Sequence, residues 1–240
     1  AARLTAQLNK TFDLLLPLNT VFLHSTPKAL AAFIDASGKS GHDAAQVNRQ
    51  ANQTTGPLTA MQNRMHFMEE LHPGRVVHNT PSAHRLRGPF NRAAFAQAFQ
   101  KMIDRQAVLR TCIENGKDGP IQRVVDLPGF DLPFEDLSSI DADAREAALM
   151  DRMYAIIDRP IDIHVAPLFR AALYRLRDDE HVLLFMTHHI IWDGWSFDLF
   201  YEEMSAFYAA AVSGSEANLP ALPASYIDYA AWQREWLASE

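Results

Sequence analysis

One cysteine, Cys112, stands among the 240 residues. That scarcity excludes an intrachain disulfide and a cysteine-rich metal centre. With Leu109, Thr111 and Ile113 as neighbours, the thiol reads as a small buried apolar side chain. Long apolar runs are lacking as well. Nothing approaches the roughly 20 residues needed to cross a bilayer, and residues 182–186, flanked by His181 and His188, suit a buried strand. Basic residues are not in excess: 22 Lys and Arg face 29 Asp and Glu, a formal net charge of -7. The chain therefore offers no global attraction to nucleic acid or an anionic membrane. No signal peptide is visible, and a cytoplasmic enzyme is the economical expectation. Also missing are a phosphate-binding glycine loop, a G-x-S-x-G nucleophile segment and an H-E-x-x-H metal motif. The second of these absences argues against a serine acyltransferase, but not against direct transfer in which the acceptor itself attacks. What is plentiful is apolar matter, 48% of the residues, ample for a folded core.

The character of the chain changes along its length. Residues 1–34 form a compact apolar pattern through Leu14, Leu16, Leu18, Val21, Phe22, Leu30 and Phe33, with Thr26 and Pro27 reading as an N-cap and first helical position. Residues 35–57, rich in Gly, Ser, Gln and Asn, read as a linker. The main body begins near Leu58. Thr59 is placed to cap a helix whose Met61, Met65, Phe67, Met68 and Leu71 form an apolar, core-facing side. Residues 76–88 read as extended, and Asn91 as the cap of a helix carrying Phe95, Phe99, Met102 and Ile103. Residues 108–113 and 121–125 read as antiparallel strands around a polar, glycine-containing turn. A helix over 142–157 stops before Pro160. Residues 173–176 and 182–187 form a second hairpin, and amphipathic helices follow over 197–212 and 226–237. Helices with mainly antiparallel strands point to an α/β sandwich with a mixed sheet.

The most informative segment is His188-His189-Ile190-Ile191-Trp192-Asp193-Gly194, at the end of the apolar strand. Adjacent side chains on a strand point to opposite faces, so the two histidines should do different work. One can face a solvent channel and exchange protons near neutrality while the other packs behind the strand end. Asp193 is placed to bind an imidazole or to pair with an arginine, and Gly194 to let the backbone turn or approach a neighbour. Trp192 and Trp195 supply rigid surfaces. A general-base histidine, a purely structural histidine pair and a metal site all remain open on these residues, the metal reading weakened by diverging strand neighbours. Gln62, Arg64, Arg105, Arg110 and Arg170 are the candidate partners.

These residues resemble the condensation domains of nonribosomal peptide synthetases, in the chloramphenicol acetyltransferase-like superfamily. The hallmark H-H-x-x-x-D-G is complete. The segment from Leu58 to Arg64 resembles S-x-A-Q-x-R, with Thr for Ser and Met61 before Gln62. The segment from Arg105 to Thr111 resembles R-H-E-x-L-R-T, with Gln106 and Ala107 replacing His and Glu. The segment from Tyr226 to Gln233 matches Y-x-D-Y-A-x-W-Q. Leu16, Pro17, Leu18, Phe22, Thr26, Leu30 and Ala31 resemble the C-terminal end of a peptidyl carrier domain, without the G-G-x-S that carries phosphopantetheine.

The resemblance implies three parts: a carrier remnant over 1–34, a linker over 35–57, and the N-terminal half of a condensation domain over 58–240. The second half and neighbouring synthetase modules are expected as partners, with the piece inactive alone. The activity implied is amide formation between thioesters held on the 4'-phosphopantetheine of donor and acceptor carrier domains, with no cofactor or metal on this chain. His189 is implied as the catalytic residue, Gly194 as close to the reacting groups, His188 as structural, and Asp193 as organising the loop through an ion pair with Arg170. A noncatalytic docking or recruitment module and an ester-forming or epimerising relative are the alternatives.

Overall fold

The computed structural model of the chain describes residues 2–12, 14, 16–36, 47 and 53–239. It contains two compact units, Ala1–Val47 and Asn48–Glu240. The first holds helices α1 (Ala2–Phe12), α2 (Thr20–Leu23) and α3 (Pro27–Ala36). Thr26 Oγ1 accepts the Ala29 amide at 3.2 Å, so α3 begins on the expected Thr-Pro pair. The Asn9 side chain clasps the Leu16 backbone from both sides, accepting from its N–H at 2.9 Å and donating to its carbonyl at 3.3 Å. Most of the linker expected over 35–57 lies outside the described residues.

The second unit contains β1 (Thr55–Pro57), α4 (Ala60–Leu71), β2 (Asn79–Arg87), α5 (Arg92–Arg105), β3 (Thr111–Gly116), β4 (Gly119–Val124), β5 (Phe134–Asp136), α6 (Ala142–Ile157), β6 (Phe169–Arg177), β7 (Glu180–His188), α7 (Gly194–Ser213) and α8 (Tyr226–Ala238). The strands make two sheets, β1-β4-β3 and β2-β7-β6-β5. All pairings are antiparallel except β5 with β6, so the mixed, mainly antiparallel α/β architecture expected from the sequence is present.

Three expectations are corrected. Thr55–Pro57, read as linker, is an edge strand paired with β4. Its Gly56 lets the backbone lie against α8, since a Cβ there would sit 2.3 Å from Ile227 Cγ2. Residues 107–110 form a 3-10 turn rather than the start of a strand, because the Arg110 guanidinium folds back onto the carbonyls of Ile103 and Val125 at 3.2 and 2.9 Å. Lastly, α4 turns only one of its methionines, Met65, toward the core. Met61, Phe67, Met68 and Leu71 are exposed, whereas Gln62 and Glu69 are buried. The helix packs against a polar region of the body, and its buried side supplies the polar groups needed there.

The core lies between β6–β7 and the helices α5 and α7. Every residue of β7 is buried, which explains its continuous apolar run: a central strand covered on both faces has no polar side to alternate with. Phe185 on β7 stacks on Phe200 of α7 with ring centroids 4.2 Å apart and planes 5° from parallel. The same ring meets Trp192 edge-on at 5.4 Å. The start of α7 and the loop before it are thereby anchored to the central strand.

Candidate active site at the end of the central strand

β7 ends at His188, and the next residues turn directly into α7. The two histidines differ in burial: His188, the last residue of β7, is 1% exposed, and His189, just past the strand, is exposed. The His189 amide donates to the His78 carbonyl at 2.8 Å, which holds the chain as it leaves the sheet. The His189 ring makes a short contact from Nδ1 to the Trp192 carbonyl oxygen. A carbonyl only accepts, so Nδ1 carries the proton and Nε2 of the neutral ring keeps its lone pair. His189 lines a cavity of about 660 Å³ together with Met61, Met65, Arg105, Ile191 and Tyr226. An oriented base thus stands on the wall of an amphipathic cleft.

His188 is held in the opposite sense. The Ile190 amide donates to its Nδ1 at 3.1 Å, so Nε2 bears the proton. That nitrogen lies 3.3 Å from Glu69 Oε1, close enough for electrostatic attraction but out of hydrogen-bond alignment. Burial pushes the His188 pKa below the ordinary imidazole value, against the opposing pull of Glu69. Glu69 also bonds His78 Nδ1 at 2.5 Å. Glu69, on α4, therefore links the inner hallmark histidine to the residue whose carbonyl anchors His189. Sequence reasoning missed both Glu69 and His78. A glutamate inside the apolar run of α4 was the one signal, but nothing in its spacing names a partner on β7.

Asp193 is the N-cap of α7. Its Oδ1 accepts from the Ser196 amide at 2.8 Å and from Ser196 Oγ at 2.6 Å, and its own amide donates to Ser196 Oγ at 3.3 Å. The expected ion pair with Arg170 is not formed. Arg170, on β6, instead donates to the carbonyls of Ile156, Arg159 and Pro160 at 3.4, 2.5 and 2.6 Å. Terminal helix carbonyls lack intrahelical donors; Arg170 ties the last turn of α6 to the residues just beyond it, and Asn79 donates to the Ile157 carbonyl at 2.7 Å. Burial and the nearby Arg159 lower the Arg170 pKa. This geometry makes Asp193 a capping group. Asp193→Asn, which keeps the accepting oxygen, is expected to leave the thermal midpoint nearly unchanged, while Asp193→Ala costs about 1 kcal/mol. Thermal denaturation of the two variants checks this; equal loss in both would point to the charge rather than the cap.

Gly194 is the first residue of α7 and has no positive φ. A Cβ built on it meets nothing within 4 Å. Neither backbone conformation nor packing within the described residues demands glycine here. Trp192 is buried, whereas Trp195 is about half exposed.

Of the remaining candidate partners, Gln62 reaches the loop itself. Its Nε2 donates to the Ile190 carbonyl at 3.2 Å and to Gln122 Oε1 at 3.0 Å, while its Oε1 accepts from the Thr59 amide at 3.0 Å. One buried amide so joins α4, the small sheet and the hallmark loop. Arg105 and Gln106 both bind Glu203 on α7, at 3.0 and 2.8 Å. Gln106 donates a hydrogen bond here, so the departure from the resembling motif leaves a supported structure. Arg64 is exposed. Cys112 is buried, and burial raises its thiol pKa.

Known proteins agree with this architecture. Residues 52–240 match the family described as Condensation domain, and the chain belongs to that family, whose fold is chloramphenicol acetyltransferase-like. It is 34% identical over 223 residues to phosphinothricin tripeptide synthetase PhsC of Streptomyces viridochromogenes, covering 92% of this chain and 20% of that one. It is 35% identical over 179 residues to chondramide synthase cmdD of Chondromyces crocatus, covering 75% of this chain and 5% of that protein. The chain thus spans only a small part of these relatives. The crystal structure of the starter condensation domain of rhizomide synthetase RzmA superposes with a TM-score of 0.70 at 25% identity, covering 77% of this chain and 44% of that one. Among the described residues, no helix is long and apolar enough to cross a membrane.

Proposed function

We propose that this chain is the N-terminal half of a peptide-synthetase condensation domain that joins the amine of an acceptor aminoacyl thioester to a donor acyl or peptidyl thioester. The observation that carries the reading is the oriented His189 ring. With Nδ1–H committed to the Trp192 carbonyl, Nε2 is the ring's proton acceptor on the cavity wall. The new C–N bond forms as the donor C–S bond breaks. His189 Nε2 takes the proton released by the attacking amine and returns it to the departing thiolate, so no covalent intermediate forms on the protein. Donor and acceptor carrier domains are the partners, and their 4'-phosphopantetheine arms supply the thioesters. The open space around Gly194 is reserved for the reacting groups in this reading, and residues 1–34 are the tail of a preceding carrier domain.

Support for a second half comes from coverage and surface. The chain matches 44% of the rhizomide synthetase domain, and α4 exposes Met61, Phe67, Met68 and Leu71, an apolar side suited to a packing partner. The deciding experiment supplies cognate aminoacyl carriers to the contiguous two-half domain and to this 240-residue chain, with intact-mass detection of carrier-bound dipeptide. Product is expected from the contiguous domain and none from the chain alone, since displacing reacting groups by about 1 Å costs on the order of a hundredfold in rate. A contiguous domain that binds both loaded carriers and yields no dipeptide overturns the reading.

A further inference from the structure

Two histidine–carboxylate clusters are built on the neighbouring residues Glu69 and Glu70 of α4, and their hydrogen bonding differs. In the inner one, Glu69, His78 and His188, donors face acceptors. The Ile190 amide occupies His188 Nδ1, the protonated Nε2 turns toward Glu69, and His78 bonds the same carboxylate. Every proton there is assigned to a nitrogen that faces the carboxylate, although His188 Nε2 is not aligned for a hydrogen bond with it.

The outer cluster is His66, Glu70 and His164. His164 Nδ1 lies 2.9 Å from the Ile113 carbonyl, so it must carry the proton. The neutral ring then presents a bare lone pair at Nε2, and this lone pair points at Glu70 Oε1 from 3.0 Å. Two acceptors at that distance repel unless a cation lies between them. His66 Nε2, one helical turn from Glu70, approaches the same oxygen at 3.6 Å. That nitrogen is buried and has no hydrogen-bond partner. The three ligand atoms lie within 4.8 Å of one another. Bonds of about 2.0–2.1 Å to a tetrahedral Zn²⁺ place ligand atoms roughly 3.3 Å apart, close to the two shorter separations.

We propose that His66, Glu70 and His164 bind a divalent cation of the Zn²⁺ class, through His66 Nε2, a Glu70 carboxylate oxygen and His164 Nε2. Two imidazoles and one carboxylate suit a borderline metal better than Mg²⁺ or Ca²⁺, which favour all-oxygen sets. The Ile113 carbonyl supplies the outer support typical of a metal-bound histidine, fixing the tautomer and aiming the ring. That support is itself braced, because the Ile113 amide donates to the Ile163 carbonyl at 2.9 Å. The His164 amide donates to Asp162 Oδ1, also at 2.9 Å. None of the three ligands lines the cavity beside His189. The metal therefore acts as a clamp between α4 and the segment that follows α6, not as a participant in condensation. Glu69, which supports the hallmark histidines, is the neighbour of Glu70 on the clamped helix.

A proton is the competing cation. The His164 pKa is raised: burial pulls it down, but the Ile113 carbonyl and the Glu70 carboxylate outweigh that. A proton between His164 and Glu70 still leaves His66 Nε2 without a hydrogen-bond partner, whereas a metal engages all three groups. The test titrates the chelator-treated, purified chain with Co²⁺ and Zn²⁺ near neutral pH. One equivalent of Co²⁺ is expected to bind with visible absorption bands of a four-coordinate N/O site, and Zn²⁺ is expected to displace it and raise the thermal midpoint. His164→Ala and Glu70→Gln, both at exposed positions where folding should not suffer, are each expected to weaken binding at least about tenfold. Glu69→Gln is expected to leave stoichiometry unchanged. Failure of Co²⁺ to bind stoichiometrically overturns the proposal, as does binding that survives His164→Ala but is lost in Glu69→Gln. A His164 ring that titrates as an isolated imidazolium, unaffected by Zn²⁺, assigns the site to the proton and also overturns it.

Discussion

Replacing His189 by Ala in the contiguous domain is expected to lower amide formation by about 10²–10⁴-fold, the usual contribution of a positioned general base. The fold should survive, because the His189 side chain is exposed and contributes no core packing. Its principal polar contact runs from Nδ1 to the Trp192 carbonyl, which is free to be hydrated once the ring is gone. His189→Gln separates basicity from shape, since an amide fills part of the same space and accepts no proton at neutral pH. The loss should therefore appear in kcat for both variants, with carrier binding little changed. Single-turnover formation of carrier-bound dipeptide, measured beside thermal denaturation, checks the division. A rate within a few-fold of the unsubstituted domain would remove His189 from proton transfer and leave it a wall of the cleft.

The second large effect is expected at Glu69. Its carboxylate is buried between His78 and His188. Glu69→Ala strands His78 Nδ1 and the protonated His188 Nε2 in a region where His188 is almost fully enclosed. Leaving a buried donor unsatisfied typically costs about 1–3 kcal/mol, and two donors are stranded here. For a domain of this size that corresponds to a fall in thermal midpoint on the order of 10 °C. Turnover should fall as well, because the His78 carbonyl holds the His189 amide at 2.8 Å. Glu69→Gln keeps one accepting oxygen and should lose less on both measures. A midpoint within about 1 °C of the unsubstituted protein in Glu69→Ala would mean that the buried carboxylate contributes little beyond a surface pair.

Elements whose signals are local were legible in the residues. The Thr-Pro start of α3, the Thr59 and Asn91 caps, and the apolar run of β7 lie within a turn or a strand of the residues that define them. His188 and His189 do differ in burial, but β7 is covered on both faces, so the difference follows from where the strand stops rather than from its two-residue period. The hallmark loop and the other signatures were enough to point to the condensation family.

Partnerships between distant segments were not legible. Asp193 and Arg170 were paired by charge, yet Asp193 finds a Ser196 amide three residues ahead and Arg170 finds carbonyls at and just beyond the end of α6. A local cap and an unsatisfied helix end compete with any ion pair, and sequence does not reveal where α6 will end in space. Met65 of α4 does pack on the core, but Met61 and Met68 only looked like core, because periodicity reports which residues share a face, not which face is covered. Tertiary packing turned Gln62 and Glu69 inward toward Ile190 and His188. His66 and Glu70 are visible as a helical pair, but His164 joins them across a separation of 94 residues from Glu70. The order of residues set which chemical groups were present and which short elements would carry them. Which of those groups meet was settled by packing in three dimensions, because hydrogen bonds and metal ligands are selected within a few ångströms while the chain between them sets no such distance.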